Sequence, residues 1–268
     1  MTRTTKLASL VFLAVSALIL TGFYSDARAA APSGILDSYH NLNPDYTPSV
    51  TPARKLSGDY KEICVYCHTP HGGDPTSGPL WNRDTTGGAT SYTMYSSPTY
   101  DATTDAVPTG VSKACLSCHD GSVSINALIN RPGSGSGSGG TVTKFPTDPA
   151  QRANNQSLIG TDLSNDHPIS MEYATAKSPG LGAAVGENTH DSGFRSVAAG
   201  YVDGTDGASA PTTGVKLPLY DGKVQCASCH DPHETRTKIT QDGTGAGQVF
   251  FLRVSNVNSA LCRTCHLK

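Results

Sequence analysis

Past Leu20 this 268-residue chain has no long apolar run, which leaves the remainder without a segment able to span a bilayer as a helix. It has no stripe or cluster of Lys and Arg either, and that excludes the electrostatic footprint of a nucleic-acid binder. Hydrophobic residues reach only 37%, below the roughly 45–50% of ordinary globular domains, while glycine numbers 28 and proline 17. Such a chain cannot build a large side-chain core, so apolar surface has to come from elsewhere. No cysteine is spare: all eight fall in four copies of one motif, which excludes a conventional disulfide framework.

The copies are Cys64-Val-Tyr-Cys67-His68, Cys115-Leu-Ser-Cys118-His119, Cys226-Ala-Ser-Cys229-His230 and Cys262-Arg-Thr-Cys265-His266. Two cysteines three positions apart project from one helical turn toward the two vinyl groups of a porphyrin, and the adjoining histidine lies over the iron. Zinc sites and Cys-x-x-Cys redox pairs share the cysteine spacing, but neither requires histidine at the next position four times out of four. The reading is four covalently bound haem c (heme c) groups, with Cys64, Cys67, Cys115, Cys118, Cys226, Cys229, Cys262 and Cys265 as attachment points and His68, His119, His230 and His266 as proximal iron ligands. At about 60 mature residues per haem, most segments are expected to wrap cofactor, and the apoprotein to be largely unfolded.

Residues 1–29 have the pattern of a secretory signal: Arg3 and Lys6, an apolar run from Leu7 to Leu20, and Ala27-Arg28-Ala29 before a cleavage point. The alternative is an uncleaved anchor, for which a fourteen-residue run is short. Export agrees with haem attachment, which in bacteria is completed outside the cytoplasmic membrane. The formal charge of −2 becomes −4 when the net +2 of residues 1–29 is removed.

Two stretches follow the same plan: an upstream histidine, Cys-x-x-Cys-His-x-Pro-His, then a plain Cys-x-x-Cys-His. The first di-haem unit covers 30–130 and the second 161–268, joined through a 131–160 loop that contains Gly133-Ser134-Gly135-Ser136-Gly137-Ser138-Gly139-Gly140. Haem stacking across the boundary would fuse them into one domain. The expected fold is mostly irregular, with short helices at each motif, a further helix at Ser122 to Ile129, a strand at Gln248 to Val254, and mainly loops in 72–110 and 176–222. Trp81, Tyr92, Tyr95 and Tyr100 are available to pack on porphyrin, although plain packing suffices for each.

Five histidines remain for the distal iron faces: His40, His71, His167, His190 and His233. Each unit holds four histidines for two haems, which leaves His190 over and favours bis-histidine ligation by His40, His71, His167 and His233. Opposing ligands place their Cα atoms roughly 12 Å apart, whereas three extended residues span at most about 10–11 Å, so His71 cannot serve the iron of His68. The same holds for His233 and His230. Met94 or Met171 is an alternative ligand, with packing the commoner fate of a methionine. Asp120, Asp166 and Asp231 lie near these histidines in sequence and are candidates to accept a ring N–H, a bond that adjacency alone does not establish.

The pattern resembles the tetrahaem subunits of extracellular cytochrome filaments, the OmcE-like nanowire proteins of metal-respiring bacteria. The likeness spans most of the mature chain through Cys64 to His71, Pro79-Leu80-Trp81-Asn82, Tyr92-Thr93-Met94-Tyr95, Asp166-His167-Pro168-Ile169 and the two C-terminal motifs. It implies a mostly coil fold around a continuous haem stack and subunits that polymerise by haem contact. It also implies one axial histidine given to a neighbouring subunit, for which His40 on its Pro- and Asn-rich arm is the candidate. The Gly-Ser run and His190 have no counterpart in that pattern.

The function expected is electron transfer, because saturated bis-histidine irons change valence without binding substrate, and the protein is not expected to be an enzyme. Partners would be further copies of the chain, other cytochromes and extracellular acceptors. The alternatives are a soluble periplasmic shuttle with the same haems and a multihaem reductase with one open iron. Five spare histidines and the lack of a Cys-x-x-Cys-Lys variant stand against the reductase.

Overall fold

The computed structural model describes residues 34–46, 58–133, 157–176, 194–195, 197–203, 216–233, 239–240, 248–249, 251–254 and 256–266. The signal-like segment, His190 and nearly all of the Gly-Ser run lie outside them. The described residues are mostly irregular, with short helices and strands. None of their helices is long and apolar enough to cross a membrane.

Each Cys-x-x-Cys-His motif closes one helical turn. A 3-10 turn at Ile63–Tyr66 carries the first, helix α1 (Gly110–His119) the second, α2 (Cys226–Cys229) the third and α3 (Ala260–Cys265) the fourth. In motifs one, three and four the histidine N–H donates to the carbonyl of the first cysteine, at 2.8, 3.0 and 2.9 Å. That i to i+4 bond puts the two cysteines on one face. Helix α2 is fixed by a capping box, in which Gln225 and Ser228 bond each other's backbone. Left-handed Asn258 and Ser259 turn the chain into α3.

The helix expected at Ser122 to Ile129 does not form. Asp120, Ser122 and Ser124 side chains accept backbone N–H groups of Ser122, Ala89 and Asn126 instead. The carbonyls a helix would use are committed to other partners: those of Ser124 and Ile125 to Arg83, and that of Ala127 to the Asp84 N–H. Short polar side chains that bond locally outcompete helical turns. The strand expected at Gln248 to Val254 is confined to β7 (Gln248–Val249), paired with β6 (Ile239–Thr240). It stops before Phe251, whose φ of +64° turns the backbone away, and the Leu252 backbone then bridges to His230.

Region 72–110 is loop apart from isolated bridges, as expected. Region 176–222 holds more order than that: β2 (Val197–Ala198), β3 (Tyr201–Asp203) and β4 (Lys216–Pro218) form an antiparallel sheet. Ala199 and Gly200 both have positive φ, the requirement of a tight hairpin turn. Val202 and Leu217, paired across β3 and β4, are almost fully buried, while Tyr201 faces outward.

The apolar clusters are small. One gathers Met171, Tyr173, Ala176, Val202 and Val224, a second Tyr60, Tyr66 and Leu128, and a third Leu217, Val254 and Ala260. In the second, the Tyr66 hydroxyl donates to the Tyr60 carbonyl and accepts from the Tyr60 N–H, both at 2.6 Å. Gly58 is obligatory beside it, since a Cβ there would lie 2.2 Å from the Tyr66 hydroxyl oxygen.

The described parts of the two sequence units are packed together. Strand β1 (Met171–Glu172) pairs with β5 (Lys223–Val224) and bridges to Thr104 of the first unit. Lys223 bonds both carboxylate oxygens of Asp105 at 2.7 Å. The Cys226 N–H donates to Ser112 of α1 at 2.9 Å, which locks motif three against motif two.

Candidate functional site

The eight cysteines are free thiols, and they run through the molecule in motif order. Cys67 lies near enough to Cys118 for their charges to interact, Cys115 hydrogen-bonds Cys226, and Cys229 senses Cys262 and Cys265. Burial pushes the Cys67 and Cys265 thiols up to about 12 and that of Cys229 up to about 11. Cys226 is the exception: hydrogen bonding with Cys115 outweighs burial and lowers it to about 7.

The histidines meet in pairs. His68 of the first motif faces His233, with ring centres 6.0 Å apart and planes inclined by 13°. His119 of the second faces His40, with centres 6.1 Å apart and planes at 70°. Both pairs include a histidine far away in sequence, and the first joins the two sequence units.

Hydrogen bonds fix the orientation of the rings. His68 Nδ1 lies 2.8 Å from the Pro79 carbonyl, His119 Nδ1 2.6 Å from that of Ser157, and His167 Nδ1 2.9 Å from that of Pro168. A carbonyl only accepts, so Nδ1 carries a proton in each, and in the neutral ring that tautomer leaves the lone pair on Nε2. The Pro232 carbonyl hydrogen-bonds His40. Burial, aided by nearby His119, lowers His40 to about 4, and burial also lowers His119. Both are neutral imidazoles at neutral pH, the form that binds a metal.

Of the three neighbouring acids, Asp231 is the one turned to its histidine, with Oδ1 at 3.5 Å from His233 Nδ1 and Oδ2 at 2.9 Å from Arg253. Asp120 accepts instead from the Tyr92 hydroxyl at 2.7 Å, and Asp166 is exposed. His40 sits on an arm tied to its own chain: the Gly58 N–H bonds Leu42 at 2.8 Å, and Asn43 reaches the Lys61 carbonyl at 3.1 Å. Within this chain the His40 ring lies beside that of His119.

His71 and His167 are exposed, and among the described residues neither is brought to a motif histidine. His230 is exposed, and the His266 ring packs on Phe194 at 4.7 Å. Met171 is core, and Met94 is half-buried. Trp81 stands edge-on to His68, with ring centres 6.0 Å apart at 82°, and Tyr95 edge-on to Tyr100.

Sequence reasoning missed two aromatic supports. Phe251 stacks on His40 at 4.4 Å with planes 8° apart, and Phe194 covers His266. Phe251 fell inside the strand expected at Gln248 to Val254, and its left-handed backbone, which no local signal announced, sets it on the imidazole instead.

Among the described residues no group of three or more His, Cys, Asp or Glu side chains converges as a metal site, so a metal closed in by protein ligands alone has no place. Facing pairs are a different donor set. Metal to imidazole bonds of about 2.0 Å, with ring centres about 1.1 Å further back, separate two rings across one metal by about 6 Å. The observed 6.0 and 6.1 Å match. Two facing imidazoles are too few to close in a metal by themselves, and a porphyrin would supply the remaining donors; each pair includes the histidine of a Cys-x-x-Cys-His motif. The donor set fits haem. No family model matches the chain, and no curated protein does.

Proposed function

We propose that this protein is a tetrahaem c-type cytochrome that carries electrons along a line of closely spaced haems. The observation that carries the proposal is the 6.0 and 6.1 Å separation of His68 from His233 and of His119 from His40, each beside a Cys-x-x-Cys pair. When bound, haem supplies a reversible one-electron couple.

The chain's own residues do the rest. The eight cysteines anchor, and the motif order of their contacts supports a continuous path. Carbonyls of Pro79 and Ser157 hold the His68 and His119 rings by Nδ1, which would leave Nε2 to bind iron, and Phe251 and Trp81 pack against the His40 and His68 rings. With His233 facing His68 and His40 facing His119, an iron held by either pair would have no position left for substrate, which supports a carrier over a reductase. His233 facing His68 extends to the other half of the repeat: His71, placed after the first motif as His233 is after the third, is the ligand for the iron of His230. His167 remains for the station of His266. Export, and assembly into an extracellular filament that passes electrons to external acceptors, complete the reading; it is supported by the signal-like segment, the acidic soluble composition and the resemblance.

Pyridine haemochrome analysis of the purified protein is expected to give four haem c per chain, with low-spin spectra in both redox states and no shift with cyanide or carbon monoxide. Fewer than four haems, or a high-spin centre, would overturn it. Electron microscopy of culture supernatant is expected to show filaments, and their absence with haem intact would leave a soluble carrier.

A further inference from the structure

The first and third motifs are followed by the same backbone arrangement. The N–H of the residue after each motif histidine donates to a later carbonyl, Thr69 to Leu80 at 2.9 Å and Asp231 to Phe251 at 2.8 Å. Two residues beyond each of those carbonyls an N–H returns a bond to the second cysteine, Asn82 to Cys67 and Arg253 to Cys229, both at 2.9 Å. Trp81 and Leu252, in between, bridge to His68 and His230. Leu80 and Phe251 are therefore equivalent positions, and both are left-handed, with φ of +54° and +64°. Bulky residues rarely adopt that backbone, and where they do the surroundings impose it.

The two side chains differ in what they meet. Leu80 is exposed. Phe251 lies flat on the His40 imidazole, with ring centres 4.4 Å apart and planes inclined by 8°. The Pro232 carbonyl, two residues after His230, hydrogen-bonds the same imidazole. His40 is thus held on a face and at an edge by one braced segment, in which Arg253 also donates to the Asp231 carboxylate at 2.9 Å and to the Ala227 carbonyl at 2.8 Å. A ring held in both ways cannot turn about the axis through its remaining nitrogen without losing the stack or the hydrogen bond.

That rotation matters for a ring on iron. The plane of an axial imidazole selects the iron d orbital that its π electrons meet; two parallel planes act on one orbital and two perpendicular planes on different ones, so their crossing angle sets the orbital splitting. The His40 and His119 planes cross at 70°. The His119 plane is fixed in its turn by the Ser157 carbonyl, 2.6 Å from Nδ1.

We propose that Phe251 is a positioning residue that, with the Pro232 carbonyl, sets the plane of His40 and so holds it crossed with His119. The inference rests on the haem reading above. The segment after the third motif thereby fixes the axial geometry of the second. Leu80, at the equivalent place, has no flat face to stack, so the restraint is peculiar to that station.

Phe251→Leu and Phe251→Tyr test it. Leucine already occupies the same left-handed turn at position 80, so Phe251→Leu removes the stacking face without imposing a backbone the residue cannot adopt. Haem is counted first by pyridine haemochrome, and the low-spin ferric components are then resolved by electron paramagnetic resonance. The wild type is expected to show a strongly anisotropic component that His40→Ala removes. With four haems retained, Phe251→Leu is expected to replace that component by a broader, more rhombic one while every iron stays low-spin, and Phe251→Tyr to keep it. An anisotropic component unchanged in Phe251→Leu would overturn the proposal, as would its loss in Phe251→Tyr or its absence from a wild type with four haems. So would a new high-spin iron in Phe251→Leu, which would make Phe251 a support for ligation itself rather than for the plane. Should Phe251→Leu not mature, the wild-type spectrum decides: a narrow anisotropic component supports a single held plane, and one spread over a range of ring angles sinks it. A wild-type protein without four haems removes the underlying reading instead.

Discussion

At the scale of single residues, the proposed reading rests on two histidine pairs, each of which sets a motif histidine about 6 Å from one distant in sequence. The two pairs differ in plane angle, 13° for His68 with His233 and 70° for His119 with His40. Imidazole planes near parallel give a rhombic low-spin ferric signal, and planes near perpendicular give a more anisotropic one. Replacing His233 by Ala is expected to remove one rhombic component from the electron paramagnetic resonance spectrum and create one high-spin iron out of four, with the anisotropic component intact. Loss of the anisotropic component instead would mean that His233 serves a different station. The motif residues were legible because the chemistry needs them contiguous in sequence. Which distal histidine meets which motif was not, because that choice is made by packing: His233 reaches across the repeat to His68, and Phe251 and Pro232 position His40.

At the scale of elements, the structure is held by short polar connections rather than by long ladders. Helical turns at the four motifs were readable from Cys-x-x-Cys-His alone, since each needs only one i to i+4 bond. Ser122 to Ile129 misled because its apolar spacing suits a helix, yet its carbonyls bond a side chain and a backbone N–H some forty residues upstream. The hairpin of β2 and β3 was hidden in a stretch rich in glycine, serine and alanine.

Between elements, the Asp105 to Lys223 pair joins the loop before α1 to β5, and both side chains are about three-quarters buried. Burial works to raise the Asp105 carboxyl, but the bonds from Lys223 and Thr109 outweigh it and hold it below the ordinary carboxylate range. A depressed carboxylate adds stability above its unfolded value near pH 4 and loses it as pH falls through the lower folded value. Asp105→Asn is therefore expected to cost about 1–2 kcal/mol at pH 7, read by denaturant unfolding of the haem-loaded protein, and progressively less below about pH 4. An undiminished difference at pH 3 would show that the carboxylate charge is not what the pair contributes.

On the scale of the whole molecule, low apolar content and small clusters lead to one conclusion about folding. The clusters hold three to five buried apolar residues each, and buried side chains elsewhere include Asn82, Arg83, Ser112, Ser170 and Thr264. Among the described residues, clusters of this size remove little apolar surface from water. On the proposed reading, porphyrins at the four motifs would supply the missing apolar surface. A chain with all eight cysteines replaced by alanine keeps every helix and strand former in place, so local propensity alone would leave it folded. It is expected instead to lack near-ultraviolet circular dichroism, to exchange its amide hydrogens within seconds, and to be cleaved rapidly by protease, in contrast to the haem-loaded protein under the same conditions. Cooperative unfolding and slow exchange in that variant would show that side-chain packing suffices, and would assign the buried polar network, rather than the porphyrins, as the source of order.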